Sequence, residues 1–266
     1  MTQDLLETID KGIATLTMNR PESRNALTRD MVQAMFTALG RLATDPSIRL
    51  IVLTGTGRAF CSGGDVKGFA QVAAGGAPAM GFDQRVSDLR LRMEVARLLH
   101  EMPKPTLAVI PGPAAGAGLS LALACDLRMA ADDAKLTTAF ARVGLSGDFG
   151  GSYFLSHLVG ASRARELYFT GRVVPANEAL QMGLIDRVAP ADQLTTAAQE
   201  WARELASLPT VAVGYMKRNL NLGMRASLSD VLDAEAIHMV RTFDTEDHKG
   251  AAAAFVDKRQ PRFNGR

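Results

Sequence analysis

The sequence predicts an α/β fold, in which buried strands alternate with helices and a helical region follows. Two apolar, β-branched runs, residues 50–53 and 107–110, each lead into a turn of small residues and then into a helical pattern. From about residue 160 onward the pattern is almost entirely helical. Together these observations indicate an α/β core that carries a helical appendage.

The first part of the chain supplies a hairpin and one strand–helix unit. Residues 5–18 alternate around a Lys-Gly pair, which is typical of a β-hairpin. Thr28 predicts a helix cap, and apolar residues recur after it at helical spacing until Pro46 stops the helix. Residues 50–54 then predict a buried strand.

The middle of the chain repeats this alternation. Residues 86–100 predict a helix, and residues 106–110 predict a second buried strand. A turn and a helix of small residues follow and reach Ala124. Residues 127–130 and 135–138 predict two short strands, which extend the α/β pattern.

The last third is expected to be helical. Helices are predicted from Pro175, over residues 194–208, from Pro209 and over residues 245–258, with one strand-like break at residues 184–188. We place a boundary near residue 190. This gives a core of residues 1–190 and a C-terminal helical region of residues 191–266.

Composition excludes several classes of protein. The 266 residues are 47% apolar and 22% charged, and the net charge of +2 gives no basis for binding nucleic acid or a membrane surface. The two cysteines form neither a disulfide framework nor a metal-ligand spacing. No signal peptide or membrane-spanning run is evident, so a cytoplasmic protein is expected.

The two turns of small residues, 57–65 and 112–118, are the candidate functional elements. Small residues let a ligand approach the backbone closely. Two such turns can each direct a backbone N–H at one oxygen, which is how a site stabilises an oxyanion such as an enolate.

Two other interpretations of the second turn are weaker. The Gly116–Gly118 pair resembles part of a dinucleotide fingerprint, but Leu121 stands where the third glycine or an alanine is expected, which disfavours NAD. Ser120 sits in a loose match to a nucleophile elbow, yet it falls inside the predicted helix rather than on the turn. A helix residue beside a cleft is therefore the favoured interpretation of Ser120.

Asp148 is the notable acidic residue, since it lies among glycines and aromatic residues in the segment 143–153. It is either an N-cap for a helix that begins near Gly150 or a carboxylate in a partly apolar cleft, with a raised pKa suited to proton transfer. Asp65 stands at the end of the first turn, where a helix-like stretch begins, and capping or main-chain positioning is its expected role.

Five motifs together carry a resemblance to a known family. They are residues 19–27, 59–65, 103–105, the turn 112–118 running into 124–126, and the tail 254–259. With these motifs the chain resembles the crotonase, or enoyl-CoA hydratase/isomerase, superfamily over essentially its whole length. The resemblance implies a crotonase-like ββα spiral core with a C-terminal α-helical trimerisation region, assembled as a homotrimer or as a hexamer built from two trimers.

The resemblance also implies a site for a coenzyme A thioester, used as substrate, with no prosthetic group. The oxyanion positions fall on the N–H groups of Gly64 and Ala117. Contacts to coenzyme A are implied for Arg24, Ala26, Ser62, Gly64, Asp65, Val66, Phe255 and Lys258, the last two reaching the adenine end bound to a neighbouring subunit.

Subunit contacts are expected on the helical region, because large exposed apolar patches usually mark such contacts. The apolar residues expected there are Leu194, Trp201, Leu205, Val211, Val213, Met216, Val231 and Ile237.

The sequence departs from the family's hydratases at two positions. The two glutamates that handle water in those enzymes align with Ser120 and Phe140, whereas Asp148 aligns with the aspartate of isomerase-like branches. Double-bond isomerisation by Asp148 is therefore the favoured reaction. The alternatives are an enoyl-CoA hydratase (a lyase) of fatty-acid or aromatic-acid catabolism, a coenzyme A thioester hydrolase, or a non-catalytic module that binds acyl-CoA or RNA.

Overall fold

The computed structural model describes residues 4–64 and 80–266. The strands in this part of the chain are β1 (Leu5–Asp10), β2 (Ile13–Met18), β3 (Leu50–Gly55), β4 (Thr106–Ile110), β5 (Ala114–Ala115), β6 (Leu127–Ala131), β7 (Lys135–Thr137), β8 (Val174–Pro175) and β9 (Arg187–Ala189). The described helices are α1 (Arg29–Thr44), α2 (Phe82–Arg92), α3 (Glu94–Glu101), α4 (Ala117–Ala124), α5 (Gly151–Val159), α6 (Ala161–Thr170), α7 (Ala176–Gln181), α8 (Leu194–Ala206), α9 (Thr210–Gly223), α10 (Leu228–Phe243) and α11 (Glu246–Val256).

The main sheet has the strand order β1-β2-β3-β4-β6-β9. β1 and β2 form the predicted antiparallel hairpin, and every later neighbour in this sheet is parallel. Every residue of β4 is buried, as its continuous apolar sequence predicts for a strand covered on both faces. The oxygen of the Thr28 side chain accepts a hydrogen bond from the Met31 N–H, so the predicted cap of α1 is confirmed.

A second, smaller sheet gives the core its spiral form. It has the order β5-β7-β8, and an isolated parallel bridge joins Cys61 to Ala114 of β5. Each turn of the spiral thus has three parts. One strand joins the main sheet, one short extended segment lies along the smaller sheet, and a helix leads to the next turn. The expected ββα spiral is confirmed.

One predicted helix is divided in two. Residues 86–100 were expected to form a single helix, but Met93 separates α2 from α3. None of the residues of α2 is buried, whereas α3 buries Val95, Ala96 and Leu99. The chain therefore changes direction where it meets the core.

The C-terminal third corrects two further expectations. The strand-like break is not isolated, since β9 pairs with β6 in the main sheet. Leu194 and Trp201 are buried, because α8 packs against β2, β3, β6 and β9 rather than presenting an outer surface.

The exposed apolar side chains of this region lie mainly on α9, α10 and α11. They include Met216, Leu220, Leu228, Leu232, Ile237, Met239, Val240, Phe243, Phe255 and Val256. Of the helices in residues 4–64 and 80–266, none is both long and apolar enough to cross a membrane.

Candidate active site

The first turn is held in place by the segment 23–27. The Ser62 N–H donates to the Arg24 carbonyl at 2.9 Å, and the Leu27 N–H donates to the Gly63 carbonyl at 2.8 Å. The buried Asn25 side chain donates to the Ala59 carbonyl at 2.8 Å. Four of the residues implied to contact coenzyme A (Arg24, Ala26, Ser62 and Gly64) are thus brought together. Asp65 and Val66 lie outside the described residues.

The second turn packs directly against the first. The Ala115 N–H donates to the Cys61 carbonyl at 2.9 Å. A Cβ built on Gly63 would lie 2.9 Å from the Ala115 carbonyl oxygen and 3.5 Å from the Ala117 nitrogen. A Cβ built on Gly118 would lie 2.5 Å from the Cys61 carbonyl oxygen. Glycine at these two positions is therefore what lets the turns approach.

This packing brings the Ala117 nitrogen near Gly63, the residue that precedes Gly64. Ala117 is the first residue of α4, where an N–H has no partner within the helix. In the described part of the chain neither the Gly64 N–H nor the Ala117 N–H donates a hydrogen bond to another protein group. Two unpaired donors on turns that pack together, one at a helix N-terminus, can hold a developing oxyanion.

Asp148 lies two residues before Gly150, the N-cap of α5, and Gly151 at the start of that helix packs against Ser120 of α4. The N-cap of α5 is Gly150 and no side chain caps this helix, so the capping interpretation of Asp148 is wrong. Its Oδ1 atom is buried and has no hydrogen-bond partner. Burial raises the pKa of the Asp148 carboxyl to about 6, although the positive charge of Arg92 on α2 opposes the shift. Such a group can take up and release a proton near neutral pH.

Ser120 and Phe140 provide no carboxylate near Asp148. Ser120 is a buried residue within α4, and its hydroxyl donates to the Gly116 carbonyl at 3.3 Å. This is the behaviour of a helix residue, not of a nucleophile on a strained turn. Phe140 is buried and stacks on Tyr168, with ring centroids 6.0 Å apart.

Tyr168 belongs to this group of residues, although no local pattern in the sequence indicates it. It lies on α6, 48 positions beyond Ser120, and no motif surrounds it. A Cβ built on Gly151 would overlap the Ser120 Oγ and lie 2.6 Å from the Tyr168 hydroxyl oxygen. Only the packing of α4, α5 and α6 brings these residues together.

Phe255 and Lys258 stand at the end of the tail. Phe255 is 86% exposed, and Lys258, which follows α11, is exposed as well. Among the described residues, neither side chain forms a hydrogen bond or an ion pair with the two turns. The implied contacts of Phe255 and Lys258 with coenzyme A stay a prediction.

The remaining reactive side chains do not form a second site. Cys61 and Cys125 are buried free thiols, and burial raises the pKa of each to about 12. Within residues 4–64 and 80–266, no group of three His, Cys, Asp or Glu side chains is placed to hold a metal ion.

Comparisons with known proteins place this geometry among characterised relatives. A family model described as Enoyl-CoA hydratase/isomerase matches residues 8–266. The 1,2-epoxyphenylacetyl-CoA isomerase of Escherichia coli strain K12 is 35% identical over 266 residues, which cover 100% of both chains. The short-chain-enoyl-CoA hydratase of Clostridium acetobutylicum is 32% identical over 249 residues, 93% of this chain and 92% of its own.

Solved structures agree. The crystal structure of an enoyl-CoA hydratase from Polaromonas sp. JS666 is similar with a TM-score of 0.89 and 32% identity, covering 97% of this chain and 99% of the other. An enoyl-CoA hydratase structure from Bacillus anthracis gives a TM-score of 0.90 at 29% identity, covering 99% and 100%.

Proposed function

The chain belongs to the enoyl-CoA hydratase/isomerase family, and from this premise we propose that it moves a double bond within an acyl thioester of coenzyme A. Asp148 carries the proton in this reaction. The N–H groups of Gly64 and Ala117 hold the thioester oxygen. Arg24, Ala26 and Ser62 contact the coenzyme A portion.

The reaction proceeds through an enolate. The Asp148 carboxylate removes a proton from the carbon next to the thioester carbonyl of a β,γ-unsaturated acyl group. The C–H electron pair forms a C=C bond to the carbonyl carbon, and the π pair of the C=O bond moves onto the thioester oxygen. That oxygen accepts hydrogen bonds from Gly64 and Ala117, each of which contributes about 3 kcal/mol of transition-state stabilisation. Asp148 then returns the proton to a different carbon. The double bond has moved, and no atom has been gained or lost.

The observation that carries this proposal is the state of Asp148. Its Oδ1 is buried without a hydrogen-bond donor, and its raised pKa of about 6 suits a group that must hold and release a proton. Ser120 and Phe140, where the paired hydratase glutamates would stand, offer no second carboxylate to activate water. The Escherichia coli relative is named 1,2-epoxyphenylacetyl-CoA isomerase, so the reaction in its name is an isomerisation of an acyl-CoA, although of an epoxide.

The test is a panel of enoyl-CoA thioesters incubated in deuterated water and followed by NMR and mass spectrometry. Isomerisation predicts a shifted double bond with deuterium on carbon and no added oxygen. Release of free coenzyme A would indicate a hydrolase instead. Binding of the thioesters without any exchange would indicate a non-catalytic module.

Hydration is the second candidate, because the Clostridium acetobutylicum relative is named a hydratase. In this case Asp148 alone would activate the water that adds to the double bond. The same panel separates the two functions, since hydration adds one oxygen and two hydrogen atoms to the product.

A further inference from the structure

Tyr168 presents a polar group that the proposed reaction does not use. Its side chain is half-buried on α6, against the segment that carries Asp148. A Cβ built on Gly147 would lie 3.0 Å from the Tyr168 ring and 3.3 Å from its hydroxyl oxygen. Both glycines that touch Tyr168, Gly147 and Gly151, flank Asp148 in the chain. Tyr168 therefore packs against the segment 147–151, which contains Asp148.

The same hydroxyl lies close to the helix that supplies an oxyanion donor. Gly151 contacts both the Tyr168 hydroxyl and the Ser120 Oγ. Ser120 is three positions beyond Ala117 on α4, so the two residues share one face of that helix. The Tyr168 hydroxyl thus lies near Ser120, on the helix that carries Ala117, and next to the segment 147–151 that carries Asp148.

No protein group that the structure describes accepts a hydrogen bond from this hydroxyl. The Ser120 hydroxyl donates its own proton to the Gly116 carbonyl. Phe140, which stacks on the tyrosine ring, has no polar side-chain atom. Asp148 forms no hydrogen bond with Tyr168, although its charge acts on it. The Tyr168 hydroxyl is therefore open to a solvent molecule or a ligand rather than held by a described protein group.

The hydroxyl is a neutral donor at physiological pH. Burial, together with the negative charge of Asp148, raises the pKa of Tyr168 to about 12. A neutral phenol donates one hydrogen bond and does not compete with Asp148 for the substrate's proton. Its unused capacity therefore suits an acceptor atom on a ligand.

We propose that Tyr168 is a specificity-determining residue, which donates a hydrogen bond to an oxygen atom on the acyl group beyond the thioester carbonyl. The substrate class is then an oxygen-bearing acyl-CoA, whose acyl group carries an epoxide, ether, hydroxyl or ketone oxygen. A plain hydrocarbon chain would leave the donor unpaired, and sites built around such a donor discriminate against ligands that lack the acceptor. This inference rests on the proposed acyl-CoA function.

The test compares binding of matched thioesters by calorimetry. The pairs are phenylacetyl-CoA with (2-hydroxyphenyl)acetyl-CoA, and hexanoyl-CoA with 4-oxohexanoyl-CoA. The full-length protein is expected to bind the oxygen-bearing member of at least one pair about tenfold more tightly, as one well-placed hydrogen bond allows. Tyr168→Phe should remove that preference and leave the hydrocarbon member within about twofold. Tyr215→Phe, on α9 and stacked on His238, is the matched control and should keep the preference.

A second readout does not depend on a variant at Tyr168 folding normally. The chain has three tyrosines, so 3-fluorotyrosine gives three fluorine resonances, two of them assignable by Tyr153→Phe and Tyr215→Phe. The remaining resonance should shift with the oxygen-bearing ligand and not with its hydrocarbon partner.

Three results would overturn the inference. They are equal binding of both members of both pairs, equal weakening of both members by Tyr168→Phe, and a Tyr168 fluorine resonance that responds alike to both. The protein could prefer oxygen-bearing thioesters through Tyr168 and yet move no double bond. This result would uphold the inference about Tyr168 and contradict the proposed isomerase function. If no thioester binds, both proposals fail together.

Discussion

Asp148 combines a chemical advantage with a cost in stability. Burial of the carboxyl, whose Oδ1 has no hydrogen-bond donor, raises the pKa of Asp148 to about 6. The same burial penalises the charged carboxylate in the folded protein. Activity and stability should therefore respond to this residue in opposite directions.

Asp148→Asn keeps the shape of the side chain and removes the base. We expect turnover to fall at least ~10²-fold, the low end for general acid–base catalysis, while the dissociation constant for the thioester changes little. Steady-state kinetics and calorimetry measure the two quantities. Asp133→Asn, on an exposed turn, is the control and should retain full turnover. Near-normal activity in Asp148→Asn would remove Asp148 from the reaction.

The same variant should be more stable than the natural protein, and the difference should depend on pH. Because folding raises the pKa of Asp148 from the usual value near 4 to about 6, the folded state favours the protonated carboxyl, and this contribution is lost as the pH rises through about 6. Asp148→Asn should raise the free energy of unfolding by about 1–2 kcal/mol at pH 8, allowing for partial solvent contact, and by much less at pH 4.5. Urea denaturation at the two pH values checks this.

Lys258 tests the implied contact with the adenine end of coenzyme A. One charge-assisted contact to a phosphate contributes about 1.5–3 kcal/mol, so Lys258→Ala should weaken a coenzyme A thioester by at least about tenfold. Analogues that lack the ribose phosphate should lose little. If both ligands weaken equally, Lys258 does not contact that phosphate.

At the scale of residues, the sequence points to a site residue only where a motif or a local pattern exists. Gly64, Ala117 and Asp148 all lie where a segment of small residues breaks a regular element, and this signal is visible in the sequence. Tyr168 could not be found in this way, because its relation to Asp148 exists only after α4, α5 and α6 pack together. Their proposed roles await the experiments above.

At the scale of elements, the two turns act as one unit. Gly118 of α4 is pressed against Cys61 of the first turn, so neither turn can shift without the other. The distance between the two candidate oxyanion donors is therefore set by backbone packing rather than by a mobile side chain.

Gly118→Ala tests this packing. The added methyl group would lie 2.5 Å from the Cys61 carbonyl oxygen, so we expect a loss of about 1–3 kcal/mol in the free energy of unfolding, together with a fall in kcat. Gly40→Ala in α1 is the matched control, since nothing lies within 4 Å of its Cβ position. That change should stabilise the protein by about 0.5–1 kcal/mol. A Gly118→Ala variant as stable and active as the natural protein would contradict the close approach.

Helix α2 sets the electrostatic environment of Asp148 through Arg92. Arg92 also pairs with Asp88 on the same helix at 3.0 Å. Because its positive charge stabilises the carboxylate, Arg92→Met should raise the pKa of Asp148 and move the acidic limb of the kcat/KM profile to higher pH. Arg90→Met removes a charge from the same helix that pairs with Glu94, and should leave the profile in place. A pH profile that Arg92→Met does not move would show that this helix has no electrostatic effect on the site.

Helix and strand prediction succeeded where burial follows a simple period, as in α1 and β3. The single helix predicted across Met93 is wrong, whereas the helix predicted over residues 194–208 is confirmed and only the expected exposure of Leu194 and Trp201 on it is wrong. From the sequence, Trp201 could be an exposed apolar residue or one covered by a sheet, and the structure shows that it is buried. Only the tertiary fold decides what the apolar side of an amphipathic helix packs against.

For the whole molecule, the family and the ββα spiral were predicted from five motifs, and both are confirmed. The division near residue 190 and the assembly stay predictions. What remains exposed on α9, α10 and α11 is a set of apolar side chains larger than scattered surface residues would give.

We expect this face to join subunits. Light scattering should give a mass three or six times that of the 28.4 kDa chain. Leu220→Glu or Ile237→Glu should lower that mass. Both side chains are more than half exposed in the single chain, and a charge buried between subunits would oppose association. A monomeric mass for the natural protein at working concentration would refute the assembly.

Cys61 lies where the first turn packs against the second, so the reactivity of its thiol can report local opening of this packing. Its thiol is shielded by Gly118 and stays protonated, so an alkylating reagent can reach it only when the turns separate. The rate of Cys61 alkylation then measures how often the two turns of the candidate active site separate from each other. A bound thioester that bridges Gly64 and Ala117 should slow this rate, whereas Cys125, buried at the far end of α4, records the opening of the core alone.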